Sequence, residues 1–156
     1  MAIADTVRNF LESLNVDYEL ITHPRSFSSR ETAAAAGVRE DHIAKGVLLE
    51  DASGYVLAVI PSDSWVRLNA IQSETNRELG LAPEQDVARQ FADCDPGAVP
   101  CTGGAYGVEM VVDEALGSLA CVYFESGDHE HLVRISGDDF HKLMSGARHG
   151  HFSHGE

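Results

Sequence analysis

Lysine is nearly missing from this chain: its 156 residues include two, Lys45 and Lys142. Positive charge is scarce altogether, with 11 Lys and Arg against 25 Asp and Glu and a net charge of −14. Phosphate contacts are made by Lys and Arg, so this balance excludes a protein that tracks extended nucleic-acid duplexes. Cysteine is sparse as well. Three cysteines, an odd number without C-x-x-C spacing, argue against a disulfide framework and against a zinc ribbon. A reducing cytoplasm is the simplest home for such a chain. No apolar run approaches the roughly 20 residues of a membrane span, and the N-terminus lacks a secretory pattern.

What is present is an ordinary globular composition, 44% hydrophobic and 23% charged. That length supports one domain with a sizeable core. The acidity is uneven. Residues 1–45 carry five Lys and Arg against seven Asp and Glu, whereas residues 46–156 carry six against eighteen. From His23 to Leu49, four basic residues (Arg25, Arg30, Arg39, Lys45) outnumber three acidic ones, so the one locally basic region surrounds Lys45. A contact to a short nucleic-acid end fits this pattern.

Val7, Phe10, Leu11 and Leu14 repeat at i, i+3, i+4, i+7 and predict an amphipathic helix over residues 3–14. A short strand from Val16 to Thr22 follows, broken by His23-Pro24. Ser28 with Glu31 forms a capping box that opens an Ala-rich helix, and Gly37 can end it. Ile43 to Leu49 and Tyr55 to Ile60, joined through Asp51-Ala52-Ser53-Gly54, read as a hairpin. Trp65 to Leu68 reads as a strand, Ala70 to Leu79 as a helix capped by Asn69 and closed by Gly80, and Glu84 to Phe91 as another helix behind Pro83. Residues 93–107 hold four Gly and two Pro and predict an irregular loop. Strands follow at Val108–Val112, Leu119–Phe124 and His131–Ile135, then a helix opened by Ser136 and Asp139. A domain over residues 1–147 and a polar, poorly ordered His-containing tail over 148–156 are expected. The strand order favours α+β with a mixed sheet.

Strand alternation puts Ile43, Lys45, Val47 and Leu49 on one face. A lysine among large apolar neighbours either snorkels its ammonium to water or points it into a polar pocket. The loop Pro96-Gly97-Ala98-Val99-Pro100-Cys101 is the natural counterpart. Glycines let backbone N–H groups approach an anion or carbonyl, and flanking prolines stiffen the segment in advance. Cys101 in this loop is the cysteine expected to be exposed beside a ligand, yet no sequence-local base activates it. His149, His151 and His154 form an H-x-H-x-x-H run without the carboxylate or cysteine partners of a firm metal site. The polar turn Ser126 to His131 supplies histidines that could line a pocket or a plain surface turn.

In order along the chain, these pieces resemble the YbaK/EbsC aminoacyl-tRNA deacylases, relatives of the editing insertion domain of bacterial prolyl-tRNA synthetases. The matching pieces are His23-Pro24 with Ser26-Phe27-Ser28, Ile43-Ala44-Lys45, Gly54 to Val59, Pro96 to Pro100, Val111 to Glu114, and Tyr123 to Gly127. The resemblance spans roughly residues 16–145. It implies an α+β domain whose curved, partly barrel-like mixed sheet holds a small pocket with helices packed around it. It implies hydrolysis, in trans, of the ester joining a wrong amino acid to the terminal adenosine of tRNA. Lys45 falls on the lysine this family depends on. Gly97, Ala98, Val99 and Pro100 fall on its substrate loop, with Ser26, Phe27, Gly127 and His129 as further binding residues. The implied chemistry is substrate-assisted through the ribose 2′-hydroxyl, without metal or cofactor. The implied partner is the tRNA acceptor end, and an aminoacyl-tRNA synthetase is a further candidate partner. Two departures touch the loop: Pro96 where members often have glycine, and Cys101-Thr102-Gly103 where many have Pro-Leu-Gly. They keep a second reading open, a non-catalytic module that binds aminoacyl ends or a small amino-acid ligand.

Overall fold

The hairpin at the centre forms as the alternation predicts. In the computed structural model, which describes residues 2–155, strand β2 (Ala44–Asp51) pairs antiparallel with β3 (Gly54–Pro61), Lys45 opposite Ile60. Asp51 shapes the turn, its Oδ1 accepting from the Ser53 and Gly54 amides at 2.8 and 3.1 Å. Arg77 clamps the same carboxylate through two hydrogen bonds of 2.8 and 2.7 Å. Those bonds, outweighing desolvation, hold the Asp51 carboxyl down at about 2.

Among the described residues, thirteen further α-helices and strands accompany this hairpin. Ahead of the hairpin come α1 (Asp5–Ser13), β1 (Glu19–Thr22) and α2 (Ser29–Ala36). After it come β4 (Ser64–Val66), α3 (Leu68–Thr75), β5 (Gly80–Leu81), α4 (Glu84–Gln90) and β6 (Glu109–Asp113). The chain then forms β7 (Cys121–Glu125), β8 (His131–Ser136), α5 (Gly137–Leu143), β9 (Arg148–Gly150) and β10 (Ser153–Gly155). One sheet runs β5-β2-β3-β6-β9, with β6 parallel to β3 and β9 parallel to β6. A second runs β1-β8-β7, and β10 pairs with β4 as a third. This is the expected α+β architecture with a mixed sheet. No described helix is long and apolar enough to cross a membrane.

The central sheet is covered on both faces. Leu48, Leu57, Val59 and Val112 pack with Val7 and Leu11 of α1, Phe124 and Val133 of the second sheet, and Phe140 of α5. Leu49, Val56, Ala58 and Val111 face Ile71, Leu79 and Phe152. Local chemistry sets the helix ends around this core. Ser28 Oγ accepts from the Glu31 amide at 3.1 Å, and Gly37 ends α2 at φ 72°, a left-handed geometry that side chains resist. Ser136 caps α5 through the Asp139 amide.

Three expectations are corrected. Helix α3 stops at Thr75 because Asn76 turns left-handed (φ 56°), and Gly80 joins β5 instead of closing the helix. Asn69 does not cap it, since its Oδ1 binds the adjacent Ala70 amide inside the helix. The tail is not loose. Residues 148–150 extend the central sheet, 153–155 pair with β4, and Phe152 is buried between them. Burying that one ring is worth about 1.5–3 kcal/mol, enough to dock a short polar segment. Asp113 fixes it further by accepting from the Phe152 amide at 2.9 Å and from Ser153 Oγ at 2.7 Å.

Candidate functional site

Strand β2 is completely paired with β3 on one edge, but its other edge is shared. Residue Ile43, just ahead of it, makes a parallel bridge to Tyr123 of β7. At the far end Leu49 and Glu50 pair with β5, and the Ala82 amide donates to the Leu48 carbonyl. Between these ends, among the described residues, the edge from Ala44 to Val47 has no strand partner. The glycine–proline loop covers the gap: a Cβ on Gly46 would stand 3.1 Å from the Pro100 carbonyl oxygen and about as close to Leu57. Gly46 therefore lets the loop lie directly on the strand. Spacing in the sequence left the loop and Lys45 apart, and the fold joins them.

Two cavities open on either side of this crossing, and both touch Gly46, Gly97 and Val99. The larger, about 550 Å³, is a mainly apolar groove between Leu81, Val87 and Phe91. The smaller, about 320 Å³, is the more polar of the two and holds Lys45, with Phe27, Ser28, Thr32, Glu125 and His129 around it. The Lys45 ammonium donates to the Ser62 carbonyl at 3.4 Å and lies 5.7 Å from the Trp65 ring centre, at cation–π range. Phe27 and Trp65 stand 71% and 57% exposed, uncommon for rings of this size. The Arg25 guanidinium lies 5.4 Å from the Phe27 ring centre, which brings a second cation to the rim.

His129 ties the loop to the pocket. It adopts a left-handed backbone (φ 64°), places its ring 5.4 Å from that of Phe27, and donates from Nε2 to the Pro96 carbonyl. Gly97 has φ 84°, and a Cβ there would press on His129 Cε1 at 3.3 Å. Glycine is required at that position on both counts. Of the sequence-predicted site residues, the pocket brings together Lys45, Gly97, Val99, Phe27 and His129. Ser26, Ala98, Pro100 and Gly127 do not line it. Ser26 is buried against Thr32, their hydroxyls 2.6 Å apart, and Ala98 is fully buried below the loop. Pro100 meets Gly46 through its backbone, and Gly127 (φ 121°) sits by Cys94 and Ala4. These four residues support the wall.

The expected exposure of Cys101 is overturned. It is fully buried, and desolvation pushes its thiol well up, so it is core packing. Among the described residues no group of three or more His, Cys, Asp or Glu is arranged to hold a metal ion.

One pocket residue escaped the sequence reading. Glu125 ends β7, and its Oε1 is buried with no described hydrogen-bond partner. Burial first, and then the negative charge of Asp128, push its carboxyl up to about 7. Asp128 itself is held low: desolvation opposes ionisation, but the Glu130 amide and His131 outweigh it. The signal in the sequence was the alternation of β7, which puts Glu125 on the face opposite Val122 and Phe124.

The prolyl-tRNA editing protein ProX of Acetoanaerobium sticklandii is 28% identical over 141 residues, spanning 86% of this chain and 85% of that protein. Two solved structures share the fold. The hypothetical protein APE2540 superposes with a TM-score of 0.84 at 23% identity, over 96% of this chain and all of its own. A candidate trans-editing enzyme for prolyl-tRNA synthetase gives 0.82 at 20% identity, over 97% of each chain. The aminoacyl-tRNA editing domain matches residues 23–143, which hold Lys45, the glycine–proline loop and the β7–β8 turn, and the chain belongs to that family.

Proposed function

We propose that this protein is a free-standing deacylase that hydrolyses, in trans, the ester of misacylated tRNA. The observation that carries the reading is the meeting of Lys45 with Gly97 and Val99 in one polar pocket, at an interrupted strand edge. In this reading the terminal ribose 2′-hydroxyl activates or positions the attacking water. Lys45 supplies the fixed positive charge for the terminal nucleotide or the developing oxyanion, and the loop amides of Gly97 and Val99 orient the carbonyl. The chain contributes no covalent nucleophile. The exposed rings of Phe27 and Trp65 suit stacking with unpaired bases of an acceptor end, with Arg25 near its phosphates. The small area of positive charge suits a single-stranded end better than a duplex.

The test is release of amino acid from a panel of mischarged tRNAs by purified protein. At least one should be deacylated. Substitution K45A should reduce release at least about a hundredfold without unfolding the protein, and a terminal 2′-deoxyadenosine should cripple the substrate. Normal turnover by K45A would overturn the mechanism. Saturable binding of aminoacyl ends with no release across the panel would favour the binding module instead.

A further inference from the structure

The pocket contains a carboxyl group for which the reaction just described has no use. At the Ile43–Tyr123 bridge, β2 and β7 run side by side in the same direction. Two residues further along each strand come Lys45 and Glu125, which alternation returns to the same face, and both line the polar cavity. The wall thus sets a cationic and an anionic group at the same step. A carboxylate oxygen left without a donor in such a place costs stability, since nothing inside the fold repays its desolvation. A group kept at that cost is suited to a donor that arrives from outside.

We infer that Glu125 receives the α-ammonium group of the aminoacyl ester, which makes a free amino group part of what the pocket selects. The inference rests on the deacylase reading for the identity of the ligand. An ammonium brings three N–H donors and a positive charge, matching an unpaired carboxylate. Lys45 repels the same group, so the amine is directed to the β7 side of the cavity and the ester carbonyl to the Lys45 and Gly97 side. The substrate class follows: esters of amino acids with an unblocked α-nitrogen. Peptidyl and N-acylated esters, which have lost that charge, are poor ligands. Asp128, His129 and Glu130, in the turn after β7, are the other titratable groups on this side. Asp128 is turned to His131 and the Glu130 amide, His129 to Pro96, and the Glu130 carboxylate to Arg25 at 3.7 Å, so none competes for the ammonium.

A binding cycle tests this. The probes are 3′-aminoacylamino-3′-deoxyadenosines carrying alanine, serine or proline, in which an amide replaces the ester, each with the α-amine free or acetylated. Affinities are measured for the wild type and for E125Q. Acetylation should weaken wild-type binding about 10- to 100-fold, the worth of one charge-assisted contact. E125Q should weaken the free-amine probes by a similar factor and leave the acetylated ones unchanged, so that the two losses do not multiply. Equal wild-type affinity for free and acetylated probes overturns the assignment, and so do multiplying losses, which would mean that Glu125 acts on binding independently of the amine. Failure of every probe to bind the wild type overturns it too. If E125Q does not fold, the wild-type comparison still decides. Deacylation assays run in parallel separate the two readings: release without coupling removes only the amine site, and coupling without release removes only the deacylase.

Discussion

Asp113 and Glu125 end consecutive strands, β6 and β7, and the fold treats the two carboxyl groups in opposite ways. Asp113 is 2% exposed and accepts three hydrogen bonds, from the Ala115 amide, the Phe152 amide and Ser153 Oγ. Glu125 is partly buried and leaves one oxygen without a described partner. The first joins the C-terminal segment to the core, and its hydrogen bonds repay its desolvation. The second lines a cavity and carries a penalty that nothing inside the fold cancels. A satisfied buried acid marks construction, and an unsatisfied one facing a cavity marks a place for something else. The same division holds along β2: Asp51 is clamped by Arg77 at one end, while Lys45 lines a cavity at the other.

The largest expected effect lies on the pocket side of this comparison. K45A should reduce deacylation by roughly a hundred- to a thousandfold, the range for removing one preorganised charge-stabilising group. Its thermal midpoint should stay close to that of the wild type, because Lys45 reaches a cavity and not the core. A midpoint that collapsed together with activity would place Lys45 among the structural charges.

Next is the construction side. D113A leaves three donors without an acceptor and should cost about 2–4 kcal/mol in chemical denaturation. Proteolysis should then cut first after Gly146, as β9 and β10 detach. A D113A protein as stable as the wild type would remove the contrast between the two acids.

Glu125 gives a smaller effect of the opposite sign. Its carboxyl titrates near 7 in the fold against 4.5 in an ordinary setting. Below about pH 4.5 it is protonated whether the chain is folded or not, and it adds nothing. Between 4.5 and 7 the unfolded chain loses its proton while the folded chain keeps it, so stability falls as pH rises, and above 7 the full penalty remains. E125Q should remove that slope and stabilise the protein at pH 8 by up to about 3 kcal/mol, read from denaturation at pH 5 and pH 8. Stability lost at pH 8 would mean that the carboxylate has a partner inside the fold.

What could be read from the sequence divides along the same line. The Ser28 cap, the Gly37 stop, the Ser136 cap and the Asp51 turn are local rules, satisfied within a few residues, and they were legible. Lys45 and Gly97 were legible as separate pieces. Their meeting was not, because it depends on β7 and β5 taking the two ends of one strand edge and leaving its middle for the loop. The docking of residues 148–155 was hidden for a similar reason: three-residue polar strands carry no periodicity, and their anchor, Asp113, lies some forty positions earlier. Glu125 was hidden because a carboxylate on the outer side of an alternating strand reads as solvent-facing until a second strand arrives beside it.

The smallest effect belongs to a residue that stands on both sides of the comparison. Ser28 caps α2 through the Glu31 amide, and it also lines the Lys45 pocket. As a cap alone, S28A should cost about 1 kcal/mol of stability and leave deacylation unchanged where the protein is folded. S28D restores the cap acceptor but adds a negative charge to a cavity that already holds Glu125. If Ser28 only builds the helix, S28D recovers both stability and activity. If the pocket reads its own charge balance, S28D recovers stability and still loses turnover, which separates the two roles in a single side chain.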